Sequence, residues 1–307
     1  MRLRRQNTGQ GKLKMLRGKK SNLIGKKGKL MYVMSYSRES RLAVFLAKSK
    51  DAFYWEDLNQ GEPVIEFPKG VDKIVRDPFL MQDRNGLFHL LFTDNWRSTT
   101  IAHCTSDDFL HWSEPDFLPV MGNYQRVLNC WAPECFWDEE NQNYVIIWSS
   151  RFYREKMEDH TGNHIWCCTT KDFKSFGPPK LFFDPGYVVI DASVLYYDGV
   201  YYMAFKDERG FNRPDTDYKA LRTCRAVHAM GPYEKITPLL TRNLCEGPAI
   251  LRKDGKFIVF YDSFGDHTYR AMESADFIHF TDITPKIKFP PACKHLTVIE
   301  VEDSLVP

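Results

Sequence analysis

The sequence lacks the signals of several large classes of protein. No apolar run is long enough to span a membrane, and no apolar stretch of about 7–15 residues follows the basic start, so we expect no secretory signal. The eight cysteines form no CxxC pair, and the adjacent Cys167 and Cys168, even with His103 and His164 nearby, lack the spacing of zinc ligands. No long amphipathic helical window is present. We therefore expect no membrane helix, no structural zinc site and no helical bundle.

Acidic residues are absent from the first 30 positions, which hold many Lys and Arg. This basic segment has no interleaved aromatics and no clear amphipathic order, so the sequence favours neither a nucleic acid nor a membrane surface as a partner. We expect residues 1–29 to form a disordered tail and residues 30–307 to form one domain. Scattered thiols without a secretory signal favour a reducing, cytoplasmic compartment. The sequence leaves the oligomeric state open.

Aromatic residues make up 14% of the chain, and they occur in a repeated pattern that favours strands. One phrase, Ser/Thr-x-Asp followed by Phe or another aromatic residue, occurs at residues 49–55, 106–112, 170–176 and 274–280, with a degenerate copy at 229–234. A second phrase, a tight turn before an alternating aromatic strand, occurs at residues 29–36, 85–92, 143–148, 198–205 and 254–261. Asn-Gly and Asp-Gly before an apolar run are strong hairpin signals.

Five such units, spaced as propeller blades are, predict an all-β, single-domain, five-bladed β-propeller. A β-sandwich would also show short strands and turns, but the repeated phrase favours the propeller. The first unit is short at its start, because little sequence with strand character precedes residue 30. Residues 296–301 do have strand character, and we expect this C-terminal segment to close the first blade.

Four acidic residues recur at nearly one phase, about 10 or 11 residues before the second strand of four successive hairpins: Asp77, Glu134, Asp191 and Glu246. In a propeller the strand that they begin is innermost, so the four side chains are expected to meet at one mouth of the central channel. Clustered carboxylates separate one another's pKa values, which lets one act as an acid and another as a base. Turn-capping carboxylates and a calcium site are the alternatives.

A second set of aspartates also recurs in phase, within the predicted outer-strand turns. Its members are Asp51, Asp108, Asp172 and Asp276. Asp side chains commonly accept hydrogen bonds from the backbone two residues further on, so we interpret this set as structural Asx-turn residues.

The acids stand in four short phrases, Arg-Asp-Pro at 76–78, Trp-Ala-Pro-Glu at 131–134, Ile-Asp at 190–191 and Glu-Gly-Pro at 246–248. In this order the chain resembles, over residues 30–302, glycoside hydrolase family 43, five-bladed propellers that act on arabinose-, xylose- and galactose-containing glycans. The resemblance implies an inverting mechanism in which Asp77 is the general base, Glu246 the general acid and Asp191 the residue that orients the acid and tunes its pKa. Glu134 lies outside that triad and would be structural or substrate-facing.

Further site residues follow from the same resemblance and from side-chain chemistry. Residues 294–299 resemble a family segment that usually reads Arg-His-Gly-Thr-Val-Ile, with Leu296 in place of the Gly, and they place His295 under the active site. A hydrogen-bonded core histidine is the alternative. The other expected substrate contacts are the sugar-stacking Trp96 and Trp131 and the hydroxyl-binding Asn95, Lys206 and Arg209, the last of which could instead form a structural salt bridge. No cofactor is expected to be required, and a structural calcium ion near the channel is kept as an alternative.

The predicted function is hydrolysis of arabinofuranosyl, xylosyl or galactosyl linkages in plant-type oligosaccharides or polysaccharides. A retaining fructan- or sucrose-type propeller hydrolase is an alternative, since Arg-Asp-Pro and the Glu134-Cys135 pair suit it, but residues 32–37 lack the Asp nucleophile of its first blade. A non-catalytic carbohydrate-binding propeller would be expected to lack one of the three acids. A protein-interaction propeller would not need in-phase acids at all.

Overall fold

The computed structural model describes residues 29–38, 40–153, 162–210 and 218–307, and the described residues form an almost purely β structure. Three single-turn 3₁₀ helices, Asn59–Gly61, Thr284–Lys286 and Asp303–Leu305, are present there, and none could reach across a bilayer. The predicted basic tail lies outside the described residues except for Lys29, whose carbonyl accepts a hydrogen bond from the Asp303 N–H.

The strands form five antiparallel sheets, which are the blades of a propeller. Blade 1 contains β1 (Leu30–Arg38), β2 (Arg41–Ser49), β3 (Glu56–Asp57), β4 (Ile65–Glu66) and, from the other end of the chain, β20 (Cys293–Glu302). Blade 2 contains β5 (Arg76–Gln82), β6 (Phe88–Thr93), β7 (Ile101–Ser106) and β8 (Asp116–Leu118). Blade 3 contains β9 (Trp131–Asp138), β10 (Asn143–Ser150), β11 (His164–Thr170) and β12 (Lys180–Phe183). Blade 4 contains β13 (Val189–Tyr197), β14 (Val200–Asp207) and β15 (Ala220–Ala226). Blade 5 contains β16 (Glu246–Lys253), β17 (Lys256–Ser263), β18 (Thr268–Ser274) and β19 (Thr281–Asp282).

The innermost strands β5, β9, β13, β16 and β20 contact one another in a closed ring around the axis. The predicted five-bladed propeller is therefore confirmed, and so is its closure by the C-terminal segment. Strand β20 pairs antiparallel with β1, with Val33 opposite Ile299, and thereby supplies the inner strand that the first unit lacks in sequence order. Closure of this kind removes an exposed sheet edge.

Apolar side chains fill the gaps between neighbouring blades. The buried side chains fall into five clusters, one for each pair of adjacent blades. Strand β6 shows why: Leu90 packs toward blade 1 and the next residue, Leu91, toward blade 3, because successive side chains of a strand point to opposite faces. Each blade is thus apolar on both faces, which accounts for the near-continuous apolar second strands in the sequence.

The four outer-turn aspartates have the role that the repeat predicts. In each turn the Asp Oδ1 accepts hydrogen bonds from the backbone N–H groups two and three residues further on, as Asp276 does from Ile278 and His279, both at 2.9 Å. The same pair of bonds is made by Asp51, Asp108 and Asp172. These carboxylates hold the turn after the third strand of a blade and lie away from the site described below.

Candidate active site

Every innermost strand is interrupted by a bulge near its first residue. In each blade two inner-strand residues stand opposite one residue of the second strand, and the first of the two has a left-handed backbone. These first bulge residues are Asp77 (φ 52°), Ala132 (φ 47°), Asp191 (φ 53°), Gly247 (φ 55°) and His295 (φ 38°). Bulges bend a strand and redirect a side chain. Three of the five bulge residues, Asp77, Asp191 and His295, line one cavity.

The predicted common phase of the four acids is wrong for two of them. Asp77 and Asp191 are equivalent bulge residues, whereas Glu246 stands one residue before the bulge of β16 and Glu134 stands one residue beyond the bulge of β9. The inner strands and their hairpins differ in length between blades. Counting a fixed number of residues back from the second strand therefore does not give the position of the bulge. Only the hydrogen-bond register locates it.

One cavity of about 350 Å³ opens at this mouth of the axis. Its lining includes seven of the predicted site residues: Asp77, Trp96, Trp131, Asp191, Lys206, Glu246 and His295. It also includes four that were not predicted as site residues: Arg76, Ile190, Glu208 and Phe264. The predicted residues Asn95, Glu134 and Arg209 do not line it. The three acids that the resemblance names as catalytic are therefore brought together around one cavity, from three different blades.

Asp77 is held directly by groups from two blades, and one of these groups, Thr93, is itself held by a third blade. Thr93 donates a hydrogen bond from Oγ1 to Asp77 Oδ2 at 2.7 Å and accepts one from the Ala132 N–H at 2.9 Å. His295 Nδ1 lies 3.2 Å from Asp77 Oδ1, and Arg76 Nε lies 3.7 Å from the same oxygen. These contacts fix the direction of the carboxylate, which is what a base that activates water needs.

Asp191 lies deeper than Asp77 and bridges two blades. Its N–H donates to Ser149 Oγ at 3.1 Å, and its Oδ2 accepts a hydrogen bond from the Gly247 N–H at 3.2 Å. Burial raises the pKa of Asp191 to about 6; His295 and Lys206 oppose that rise, and Glu246 adds to it. Asp191 thus fixes the backbone beside Glu246 while repelling negative charge there.

Glu246 makes a direct ion pair. Lys206 donates from Nζ to Glu246 Oε2 at 2.7 Å. Burial alone would raise the pKa of Glu246, but Lys206, with His295 and Arg76, outweighs burial and holds that pKa below its ordinary value. In the absence of substrate, Glu246 is therefore an ionised carboxylate neutralised by Lys206.

Glu134 is buried and does not line the cavity. Its carboxyl accepts hydrogen bonds from the Ser193 side chain and the Val194 N–H, and burial raises its pKa well above the ordinary value. This position suits a structural link between blades 3 and 4, one of the two roles expected of it, and not contact with a sugar.

Asn95 and Arg209 are engaged elsewhere. Asn95 is half-buried and donates to the Asp72 carbonyl at 3.1 Å. Arg209 forms a bidentate pair with buried Asp207, at 2.9 and 2.7 Å, and its guanidinium lies between the rings of Tyr187 and Tyr218. The alternative expected for Arg209, a structural salt bridge, is the arrangement that the structure shows.

The two tryptophans form one rim of the cavity. Their ring centroids are 6.4 Å apart in an edge-to-face arrangement, and Trp131 Nε1 donates to the Trp96 carbonyl at 3.1 Å. Trp96 remains 49% exposed, with the Arg76 guanidinium 4.8 Å from its ring centroid. An exposed indole held rigidly beside carboxylates is a suitable surface for sugar C–H groups.

Glu208 is the main cavity residue that sequence reasoning missed. A period of two along a strand and its extension puts Lys206 and Glu208 on one face, and Asp207 and Arg209 on the other. The alternation of side chains along β14 and its extension is therefore the sequence signal that could have identified Glu208 beside Lys206.

The described residues do not fit a calcium site built from carboxylates. No group of three His, Cys, Asp or Glu side chains among them is placed to hold a metal ion. The Glu134 carboxyl is already hydrogen-bonded by Ser193 and Val194.

Fold and cavity together define the class of the protein: a five-bladed propeller glycosidase with its acids at one mouth of the axis. A family model described as a probable glycosyl hydrolase domain, of the group related to glycoside hydrolase family 43, matches residues 29–304. The chain belongs to this family of glycoside hydrolases.

Individual relatives agree with that assignment. An α-L-arabinofuranosidase of Bifidobacterium longum subsp. longum is 27% identical over 192 residues, 53% of this chain but only 18% of that protein's length. An α-L-arabinanase from Cellvibrio cellulosa superposes with a TM-score of 0.60 at 12% identity, covering 85% of this chain and 94% of that one. An exo-1,5-α-L-arabinanase from a bovine ruminal metagenomic library gives 0.59 at 15% identity, covering 83% and 93%. The structural likenesses support the fold.

Proposed function

We propose that the chain hydrolyses arabinofuranosyl linkages in oligosaccharides or polysaccharides, with inversion at the anomeric carbon. The observation that carries the proposal is the convergence of Asp77, Asp191 and Glu246 on one cavity, each from a different blade and each in a different electrostatic setting. Arabinofuranosyl is preferred among the expected sugars because the similar proteins above are an arabinofuranosidase and two arabinanases. Xylosyl and galactosyl linkages remain the other candidate substrates.

In the proposed reaction, Asp77 removes a proton from a water molecule as that water attacks the anomeric carbon. Glu246 donates a proton to the glycosidic oxygen as its bond to that carbon breaks, and the leaving group departs as an alcohol. Asp77 ends protonated and Glu246 ionised, and exchange with solvent restores both. Inversion requires room for the water, so the two carboxyls are expected to lie about 6.5–9.5 Å apart.

One observation favours a second candidate, a propeller that binds sugar without cleaving it. A general acid must carry a proton, whereas Glu246 is ionised by its contact with Lys206 in the ligand-free protein. A site that stayed in that state would still offer Trp96, Trp131 and hydrogen-bonding groups to a sugar. It would have no protonated Glu246 to act as the general acid.

Hydrolysis of a panel of aryl arabinofuranosides, xylosides and galactosides tests the proposal. Glu246→Gln should lower kcat/KM about 10²–10⁴-fold on substrates with poor leaving groups, and much less on activated nitrophenyl glycosides. Asp77→Asn should abolish turnover on both kinds. Glu140→Gln, the same chemical change at an exposed hairpin, is the matched control. The anomer formed first, followed by proton NMR, reports inversion.

Two outcomes would decide against the proposal. Full activity of Glu246→Gln would exclude the mechanism. Sugar binding by wild type without cleavage of any glycoside would favour the binding module.

A further inference from the structure

Four charged side chains of alternating sign form a continuous chain that ends at Glu246. Lys206 Nζ lies 2.7 Å from Glu246 Oε2 and 2.8 Å from Glu208 Oε2. The other oxygen of Glu208 is bound by Lys219 Nζ, which also donates to the Glu208 carbonyl at 3.2 Å. The order is therefore Lys219, Glu208, Lys206, Glu246.

Lys206 is the buried centre of this chain. Its side chain is 4% exposed, and its ammonium lies 4.9 Å from the centroid of the Phe264 ring. The ammonium touches two carboxylates at nearly equal distance, so a small movement exchanges one partner for the other without desolvating the charge. Glu208 cannot follow such a movement, because Lys219 holds its carboxylate and its carbonyl.

Charged groups on several strands affect whether Glu246 is ionised. Burial would raise its pKa, and Lys206 is the largest of the influences that lower it. The other titratable or charged groups facing Glu246 from the neighbouring strands are Arg76, Asp191, Asp262, Tyr269 and His295. Lys206 is the one in direct contact with the Glu246 carboxylate, so its position has the greatest effect on whether Glu246 carries a proton.

We propose that Glu208 is a positioning residue for catalysis, which draws Lys206 away from Glu246 when substrate fills the cavity. This inference rests on the proposed role of Glu246 as general acid. Once Lys206 pairs with Glu208 alone, Glu246 is buried without a cation in contact, and it takes up a proton from solvent that it then donates to the glycosidic oxygen. The ligand-free ion pair is the resting state of the acid.

The pH dependence of kcat, which reports groups of the substrate complex, provides the first test between about pH 4 and 9, because its limb at high pH reports loss of the proton from the acid. Glu208→Gln leaves Lys206 with Glu246 alone, so this limb should move to lower pH by about one unit. Lys206→Met removes the cation, so the limb should move to higher pH by at least about one unit. Glu140→Gln is the matched control and should leave the profile unchanged.

The double variant tests whether Glu208 acts through Lys206. In the Lys206→Met background, Glu208→Gln should cause no further shift, since the group that transmits its effect is gone. An equal shift in both backgrounds, no shift from Glu208→Gln, or an upward shift from it would overturn the inference. Lys206→Arg keeps the cation and should return the limb toward the wild-type position, which separates the charge effect from misfolding.

Titration of the Glu246 carboxyl carbon by ¹³C NMR, assigned by its loss in Glu246→Gln, measures the same coupling without turnover. Its midpoint should fall in Glu208→Gln and rise in Lys206→Met. If Glu246→Gln retained full activity, the proposed function would be wrong. The titration midpoints of Glu246 in the other variants would still measure its coupling to Lys206. If Glu246→Gln were inactive and the midpoint did not move in Glu208→Gln, the role of Glu208 alone would be wrong.

Discussion

Asp77 and Asp191 occupy the same bulge position on inner strands separated by one blade, and both have a left-handed backbone, with φ of 52° and 53°. Asp and Asn are the side chains, after Gly, that tolerate this conformation best. The two acids are therefore fixed by backbone geometry as well as by chemistry. The bulge turns each carboxylate toward the cavity, and the left-handed residue is what makes the bulge.

This geometry predicts different outcomes for two substitutions that both remove the charge. Asp77→Asn and Asp77→Ala should each abolish hydrolysis. Asp77→Ala should in addition lose about 1–2 kcal/mol of stability relative to Asp77→Asn, since Ala is strained in the left-handed region. Thermal unfolding of both variants measures the difference. At exposed Asp116, which has an ordinary φ, the same two substitutions should differ little, and equal melting temperatures at Asp77 would contradict the prediction.

Gly247 brings blade 5 close to the imidazole that contacts Asp77. A Cβ at this position would lie 3.0 Å from His295 Nδ1, and the residue has φ of 55°. Gly247→Ala should therefore destabilise the fold by about 1–2 kcal/mol and also displace His295. A displacement near 1 Å in a catalytic site lowers the rate about 10²-fold, which kcat on an aryl glycoside would reveal.

Gly255 offers a matched control for this effect. It lies in the hairpin of the same blade with φ of 76°, and a Cβ there would meet nothing within 4 Å. Gly255→Ala carries the backbone strain without the clash, so it should lower the melting temperature and leave kcat unchanged. Equal kcat values for the two variants would show that His295 does not depend on the space left by Gly247.

The propeller was predictable because its repeat consists of turn and hairpin motifs that are each formed by residues close together in sequence. The hairpin signals recur once per blade and the Asx turns, as at Asp51 and Asp276, recur in four of the five blades, and each needs only neighbouring residues. The bulges were not predictable, because they are defined by register between strands. Leu296 illustrates the limit: the family segment suggested a glycine there, yet His295 takes the left-handed conformation. Leu296 instead fills the core between blades 1 and 5, and its N–H donates to Tyr269 Oη at 3.0 Å.

Trp96 is expected to contribute binding without affecting the chemical step. Its ring is half exposed at the rim, and it contacts none of the three acids. Trp96→Ala should therefore raise KM about tenfold with little change in kcat, the pattern of an interaction equally strong in ground state and transition state. Steady-state kinetics on an arabino-oligosaccharide measure this. Tyr54→Ala removes another exposed ring, outside the cavity, and should change neither constant; a fall in kcat for Trp96→Ala would contradict a pure binding role.

A buried histidine pair predicts acid sensitivity that is unrelated to catalysis. His89 Nδ1 and His103 Nε2 lie 2.8 Å apart, both rings are buried, and both stack on Phe173 of the next blade. One ring must donate and the other accept, so at least one ring of the pair must stay neutral. Burial, and then the charge of His89, lowers the pKa of His103 to about 3. Burial also lowers the pKa of His89, against the opposing pull of Asp83.

The sign of the effect follows from proton uptake. Histidine in the unfolded chain titrates near pH 6.5. Below that pH the unfolded chain binds protons that the buried pair in the folded chain does not bind, so the free energy of unfolding falls as the pH decreases toward 3. His103 alone should contribute up to about 1.4 kcal/mol per pH unit in this window. Melting temperatures from pH 7.5 to about 4.5 measure the slope. Replacing both histidines with Leu should flatten it, whereas His228→Leu at an exposed site should not; an unchanged slope in the double variant would show that this pair is not the source.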